Sequence, residues 1–399
     1  MKRIRRIFGL FLMGLMIWLL PAHAQLQLSE EAKISILTSA PYQDEVFTVF
    51  GHAAFRVSDP VAQGDWVFNY GIFDFSQSNF ILRFALGETD YVLGVTNYQS
   101  YIIEYQMRGS DVTEQVLNLT QEEKNRLFNA LAENAKPENR VYRYNFFFDN
   151  CATRLPEMVE RYTEGEVIYN DTPQQKTFRE MVHNCTARNK WLTFGIDLAL
   201  GSPADRLATP HEMMFLPYYL KEIYEKATIV SPDGSERKMV SGTTVINAIE
   251  SDEEDNSIFN TIFTPIVCGW LLFALIAAIT FKEKRQKKYY RAVDIILFTI
   301  AGIAGCVLFF LCFISVHPSI WPNWSVVWLH PFHLIGVLLF SLKKAKKAAY
   351  YYHFINFAAL SLFLLGWYFI PQQMNTAFIP LIATLGLRSA YAISKRNKE

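Results

Sequence analysis

Neither sign of charge dominates this sequence: 38 Lys and Arg stand against 38 Asp and Glu, a formal net charge of zero. That balance removes the electrostatic case for nucleic acid or any other polyanion as a partner. Cysteine is scarce, five in 399 residues. Only Cys151 and Cys185 precede the long apolar runs; Cys268, Cys306 and Cys312 lie within them and read as small apolar residues. One pair is too little for a disulfide framework in a domain of this size, although an oxidising compartment would allow a single bridge. The chain contains no GxSxG, no HExxH, no phosphate-cradling glycine loop and no repeat. Serine hydrolase, zinc protease and nucleotide-binding readings therefore lack support.

What the chain has in plenty is apolar surface: 51% of residues, with 32 Phe and 20 Tyr. Its distribution explains it. Lys2-Arg3-Ile4-Arg5-Arg6, an apolar stretch from Ile7 to Leu20, then Pro21-Ala22-His23-Ala24 form a secretory signal peptide over 1–24, cleaved before Gln25. The alternative is an uncleaved anchor helix; either one exports the chain from Gln25 onward. Residues 25–250 read as a periplasmic catalytic domain, 251–257 as an acidic linker (Ser251-Asp252-Glu253-Glu254-Asp255), and 258–399 as a transmembrane domain of five helices. The five apolar segments run over about 258–281, 293–316, 325–342, 354–371 and 377–394. Basic clusters at 282–288, 343–347 and 395–398 alternate with loops free of Lys and Arg at 319–325 and 372–377. The positive-inside rule puts the basic loops and the C-terminus in the cytoplasm of a bacterial inner-membrane protein, with Trp321, Trp324 and Trp328 at the outer interface.

The exported part alternates strand and helix patterns. Strands are expected over 32–39, 45–57, 65–75, 91–98, 111–119 and 141–148. Helices are expected over 77–86, 101–107, 174–200 and 210–226, and Thr120-Gln121-Glu122-Glu123 forms a capping box ahead of a helix to about Ala135. A hairpin over 227–247 turns at Pro232-Asp233-Gly234. A sheet carrying a histidine, and a strand feeding a cysteine towards a helix start, is an α+β arrangement consistent with a papain-like core.

Two blocks carry the chemistry: Gly51-His52-Ala53-Ala54-Phe55 and Asp149-Asn150-Cys151-Ala152-Thr153. A thiol is a strong nucleophile only as its thiolate, which a neighbouring imidazole can generate. Cys151 is the candidate nucleophile and His52 the candidate base; a buried structural cysteine and a core histidine are the competing readings. With Thr153 as N-cap, Pro156 falls in the first helical turn, where proline is tolerated, and Cys151 lies one turn ahead. The imidazole needs an orienting acceptor, for which Asn69 is the first choice and Asp65 the alternative. Asn150 either caps the turn or donates to an oxyanion, and Thr153 and Arg154 complete the positioning set. Arg154 and Arg56 could meet phosphate head groups or simply face solvent. His183-Asn184-Cys185 puts its His and Cys on different helical faces and makes a poor catalytic pair or metal site. His211-Glu212 adds at most outer polarity.

His before Cys is the order of circularly permuted papain-like enzymes, a group that includes lipid acyltransferases. The runs FGHAAFRV, FNYGIFDF, NFILRFALGETDYVLG, EQVLNLT, PENRVYRYNFFFDNCATR and MMFLPYYL resemble the exported domain of the Lnb family of Bacteroidetes, over roughly residues 30–225. The resemblance implies a permuted papain-like domain, no cofactor, a phospholipid acyl donor, and a diacylated lipoprotein whose N-terminal amine accepts the acyl group. It maps His52 and Cys151 onto base and nucleophile. Pulling a C16 chain from bilayer into water would cost about 12 kcal/mol at roughly 0.8 kcal/mol per methylene, so such an enzyme must work at the membrane. The other readings are a cell-wall peptidase or amidase of the NlpC type, and a membrane-anchored binding module with a Cys151–Cys185 disulfide.

Overall fold

The computed structural model describes residues 26–42, 48–73, 79–170, 172–247 and 261–396. The signal peptide expected over 1–24 and the linker expected over 251–257 lie outside these residues. The strands are β1 Lys33–Ser39, β2 His52–Asp59, β3 Gly64–Ile72, β4 Asp90–Asn97, β5 Val112–Leu117, β6 Val141–Arg143, β7 Glu166–Ile168, β8 Thr228–Val230, β9 Glu236–Lys238 and β10 Val240–Asn247. Seven of them form one antiparallel sheet ordered β10-β5-β1-β2-β3-β4-β6, and β7-β8-β9 form a small second sheet. The exported helices are α1 Phe80–Leu86, α2 Tyr98–Met107, α3 Gln121–Asn134, α4 Arg154–Tyr162, α5 Phe178–Thr186, α6 Lys190–Ala199, α7 Pro210–Met213 and α8 Pro217–Lys226.

The period-2 alternation of β2 divides its side chains between two cores. Ala53, Phe55 and Val57 join the larger core with residues of α3, α4, α5 and α8. Ala54 points the other way, with Leu37 and Val67, under Tyr98, Tyr101, Ile102 and Tyr105 of α2. Both faces of the central strands are therefore covered, which is why β1 is buried from Ile34 to Ser39.

Several expected elements are shorter or broken. The run expected as a strand over 141–148 is a strand only over Val141–Arg143. Asn145 Oδ1 accepts from the Phe147 and Phe148 N–H groups at 3.2 and 3.1 Å, closing a turn that redirects the chain. The helix expected over 174–200 is two, because the Asn189 side chain accepts from Leu192 N–H and starts α6 afresh. The helix expected over 210–226 breaks before Pro217, which opens α8. The capping box at Thr120 and Glu123 is present, and Thr177–Glu180 and Thr209–Glu212 form two more.

The C-terminal part is helical: α9 Pro265–Gln286, α10 Arg291–Phe313, α11 Phe332–Ser341, α12 Lys346–Leu365 and α13 Phe378–Arg396. Among the described residues, four helical segments are long and apolar enough to cross a membrane: Pro265–Gln286, Arg291–Phe313, Trp324–Ser341 and Lys343–Leu365. The fourth ends before Gly366, short of the expected 371. The helix α13 packs against α9 and α12. Its buried Arg388 donates to Asp294 at 2.6 Å and Thr280 at 2.8 Å and also pairs with Glu283.

The exported domain is hydrogen-bonded to the outer turns of this helical part. Buried Arg179 donates to Asp205 at 2.6 Å, Asp197 at 3.0 Å and the carbonyls of Leu200 and Gly201. Those same carboxylates accept from Asn375 Nδ2 and the Gln373 N–H, at 2.8 and 3.1 Å. Asn323 Nδ2 donates to the carbonyls of Leu198 and Ala199, each at 3.0 Å.

Candidate active site

His52 opens β2 opposite Ser39 of β1, and its half-buried ring stacks beside Tyr105 with centroids 6.4 Å apart. Asn69 lies on the adjacent strand β3, and its Oδ1 is 2.6 Å from His52 Nε2. Cys151 acts on the same ring, raising its pKa by charge and by hydrogen bonding. Asp65, the other acceptor considered, accepts instead from Arg56 at 2.8 Å through each carboxylate oxygen.

Cys151 is delivered by a tight loop. Asn145 and Asp149 bridge across its base, and the next residue holds it shut. Asn150 Nδ2 donates to the carbonyls of Phe146 at 2.7 Å and Phe215 at 2.9 Å; its Oδ1 accepts from the N–H groups of Ala152 at 2.8 Å and Thr153 at 2.9 Å. Both side-chain hydrogens are thus engaged, and Asn150 acts as a clamp on the loop. Thr153 Oγ1 accepts from the Asn150 N–H at 2.8 Å. Helix α4 starts at Arg154 with Thr153 in the cap position, so Pro156 sits in the first turn and Cys151 ahead of the helix. Backbone N–H groups of Ala53 and of Cys151 itself act on the sulfur and help to lower its pKa. Gly71, in β3, has φ +100°, within a register shift between Asn69 and Ile72. A Cβ there would stand 3.4 Å from Cys151 Cβ and 3.5 Å from His52 Cε1, besides straining the backbone.

The electrostatics move both groups towards their charged forms. Burial pushes the Cys151 thiol up, but the charge and hydrogen bond of His52, with the two N–H groups, outweigh it and hold the thiol below its ordinary value. Burial lowers His52, yet Cys151 and the Asn69 hydrogen bond win and raise it. The other exported thiol behaves oppositely: burial pushes Cys185 up to about 11. All five cysteines are free thiols.

His52 and Cys151 line a cavity of about 640 Å³. Its walls are aromatic (Phe73, Phe80, Phe84, Tyr91, Tyr144 and Phe215 among them), and it extends to Val316, His317 and Pro318, in the turn beyond α10. Tyr91 and Tyr144 stack with centroids 4.0 Å apart.

Other expected participants are engaged elsewhere. Arg154 makes a bidentate pair with Asp149 at 2.5 and 2.9 Å and lies 3.7 Å over Tyr142. Arg56 is held by Asp65 and Glu114 with its guanidinium 3.4 Å over Tyr98. His183 Nε2 is 2.7 Å from Asp197, and His211 faces Glu160 at 3.4 Å. Arg143 also lines the cavity and pairs with Asp90 at 2.7 Å. Sequence reading passed over Gly71, Arg143 and the Ala53 N–H. Only Gly71 carries a local signal, a glycine inside an aromatic strand run, the usual mark of a bulge or close approach.

Comparison with known families fits both halves of this arrangement. Residues 23–184, which include His52, Asn69 and Cys151, match the Lnb N-terminal periplasmic domain. Residues 254–399 match the Lnb transmembrane domain. No curated protein and no solved structure matches the chain. The two matches make this an inner-membrane protein whose exported domain is periplasmic, and the chain belongs to the Lnb family.

Proposed function

We propose that this protein is a membrane-bound cysteine acyltransferase moving a fatty acyl group from a phospholipid to the N-terminal amine of a diacylglyceryl-cysteine lipoprotein. The observation that carries the reading is the His52–Cys151 pair, shifted towards thiolate and imidazolium, in the wall of an aromatic cavity that also includes Val316, His317 and Pro318 beyond α10.

The reaction runs in two halves. The Cys151 thiolate attacks the ester carbonyl of the phospholipid, the S–C bond forms and the C–O bond breaks. The His52 imidazolium gives its proton to the departing alkoxide, releasing lysophospholipid. The lipoprotein amine then attacks the thioester, His52 takes its proton, and the thiolate leaves. Asn69 keeps the ring oriented through Nε2, as the third member of a triad does. The N–H groups of Ala53 and Cys151 are placed to stabilise negative charge near the sulfur. Asn150, Thr153 and Arg154 position the loop rather than meet substrate.

The architecture that goes with this reading is a permuted papain-like domain over 25–250 behind a cleaved signal peptide, and five spans over 258–399. The helix α13 is then the fifth span, shielding Arg388 among α9, α10 and α12 and ending in the cytoplasm. Intact mass spectrometry tests the chemistry. A hydroxylamine-labile acyl adduct is expected on Cys151, absent from Cys151→Ala, which should also fail to support lipoprotein N-acylation. Continued N-acylation by Cys151→Ala would overturn the assignment.

A further inference from the structure

Helix α1 reads FILRFAL, and none of its seven residues is buried. Ile81 is 83% exposed, Leu82 54% and Phe84 52%. A short helix this apolar is not stable bare in water, and such a patch marks a surface that something apolar covers.

The fastening of α1 identifies its cover. The Val316 N–H donates to Leu86 O at 2.8 Å, and His317 Nε2 lies 2.7 Å from Phe84 O. Gly87 ends the helix with φ +77°, and a Cβ there would meet His317 N at 2.9 Å, so a side chain would force the two segments apart. Val316 and His317 follow the α10 span after two intervening residues; Phe313, its last residue, and Ile314 just beyond it are 50% and 53% exposed. The Trp321 ring packs against Phe313, tilted by 49° with centroids 4.6 Å apart, the place for an indole at the membrane interface. The exposed face of α1 is thus continuous with the lipid-facing surface of a span. From the same helix, Phe80 and Phe84 line the cavity that holds Cys151, together with Val316, His317 and Pro318.

We infer that α1 lies in the outer leaflet, and that the seam between α1 and the Val316–Pro318 turn is the port through which a phospholipid acyl chain slides from the bilayer to Cys151. The port rests on the acyl-transfer reading; the seating of α1 in lipid does not. In this arrangement the chain never crosses water, and the ester stops where head group and sulfur can meet.

The experiment uses the full-length protein in vesicles of phosphatidylethanolamine and phosphatidylglycerol. The photoreactive residue p-benzoyl-phenylalanine replaces Ile81 in one sample and Val61, 67% exposed in the turn after β2, in another. Illumination should give phospholipid adducts at position 81 and none above background at 61. Equal labelling, or capture of protein instead of lipid at 81, overturns the seating. In parallel, the Ile81→Glu/Leu82→Glu double variant should load Cys151 from vesicle phospholipid at least about tenfold more slowly, since carboxylates resist the bilayer. Its loading from water-soluble p-nitrophenyl butyrate should match that of the unaltered protein. Full loading from vesicles overturns the port. Failure of the unaltered protein to load from either donor overturns acyl transfer and the port with it, while the cross-link still decides the seating of α1.

Discussion

Cys151 and Cys185 are both partly buried thiols in one exported domain, and their surroundings drive them apart. Around Cys185, burial acts alone and pushes the thiol up to about 11. Around Cys151 the same burial is outweighed by His52 and two N–H groups. The sign of the consequence is definite. Thiolate at Cys151 is present above its lowered pKa and is lost as pH falls through it; the imidazolium partner is present below the raised His52 pKa and is lost as pH rises through that. Alkylation of Cys151 by iodoacetamide should therefore persist at pH values below the ordinary thiol value of 9.0. In His52→Ala, burial is left without its main opponent, so the rate at neutral pH should fall by at least about tenfold, the equivalent of one pKa unit, and recover only in alkali. Measuring rate against pH in both proteins checks this. An unchanged profile would mean that His52 does not activate the thiol.

The element that matters most for the site is not a helix or strand but the loop between β6 and α4. A thiol ahead of a helix is useful only if the turn that carries it is rigid, and one side chain supplies that rigidity here. Asn150 is 4% exposed and ties two N–H groups and two carbonyls of its surroundings together. Replacement by Ala leaves those groups without partners in a buried place, a loss of about 2–4 kcal/mol. The expected outcome for Asn150→Ala is a clear drop in melting temperature together with slower alkylation of Cys151. A protein of undiminished stability would show that the loop holds itself.

At the scale of the whole molecule, the periplasmic domain and the helical part are joined by buried polar contacts. Arg179 is fully buried and lies at the centre of one group, paired with Asp197 and Asp205, which in turn receive Asn375 and Gln373 from the outer turn before α13. Removing one partner of a buried ionic network leaves uncompensated charge, worth about 3–5 kcal/mol. Arg179→Met should thus destabilise the protein by that order and loosen the joint, read as a lower melting temperature and faster proteolytic cutting between the two parts. Its effect on Cys151 loading should be larger with vesicle phospholipid than with a soluble ester, because the cavity wall is shared between domain and membrane turn.

Much of this was legible along the chain. Long apolar runs, the basic loops between them, the aromatic strand patterns and the Thr120–Glu123 capping box depend on residues within a few positions of one another, and local composition and spacing are enough to read them. The chemical kinship of His52 with Cys151 was also visible, because few other side chains in the exported part could do that work. The third partner was not settled in this way. Asn69 and Asp65 are four residues apart on one strand, and only the packing of β3 on β2 sends Asn69 to the ring and Asp65 to Arg56. Asn150 read equally as clamp or donor until Phe215, 65 residues away, took up one of its hydrogens. Arg56 and Arg154 read equally as phosphate contacts or solvent-facing residues until their carboxylates and tyrosines were in place. The cavity is the furthest from local reading, since α1 and His317 are brought together across 233 residues. Elements whose free energy is local can be read within a short window; which polar groups neutralise one another and where apolar walls close cannot, because those contacts join segments far apart in the chain.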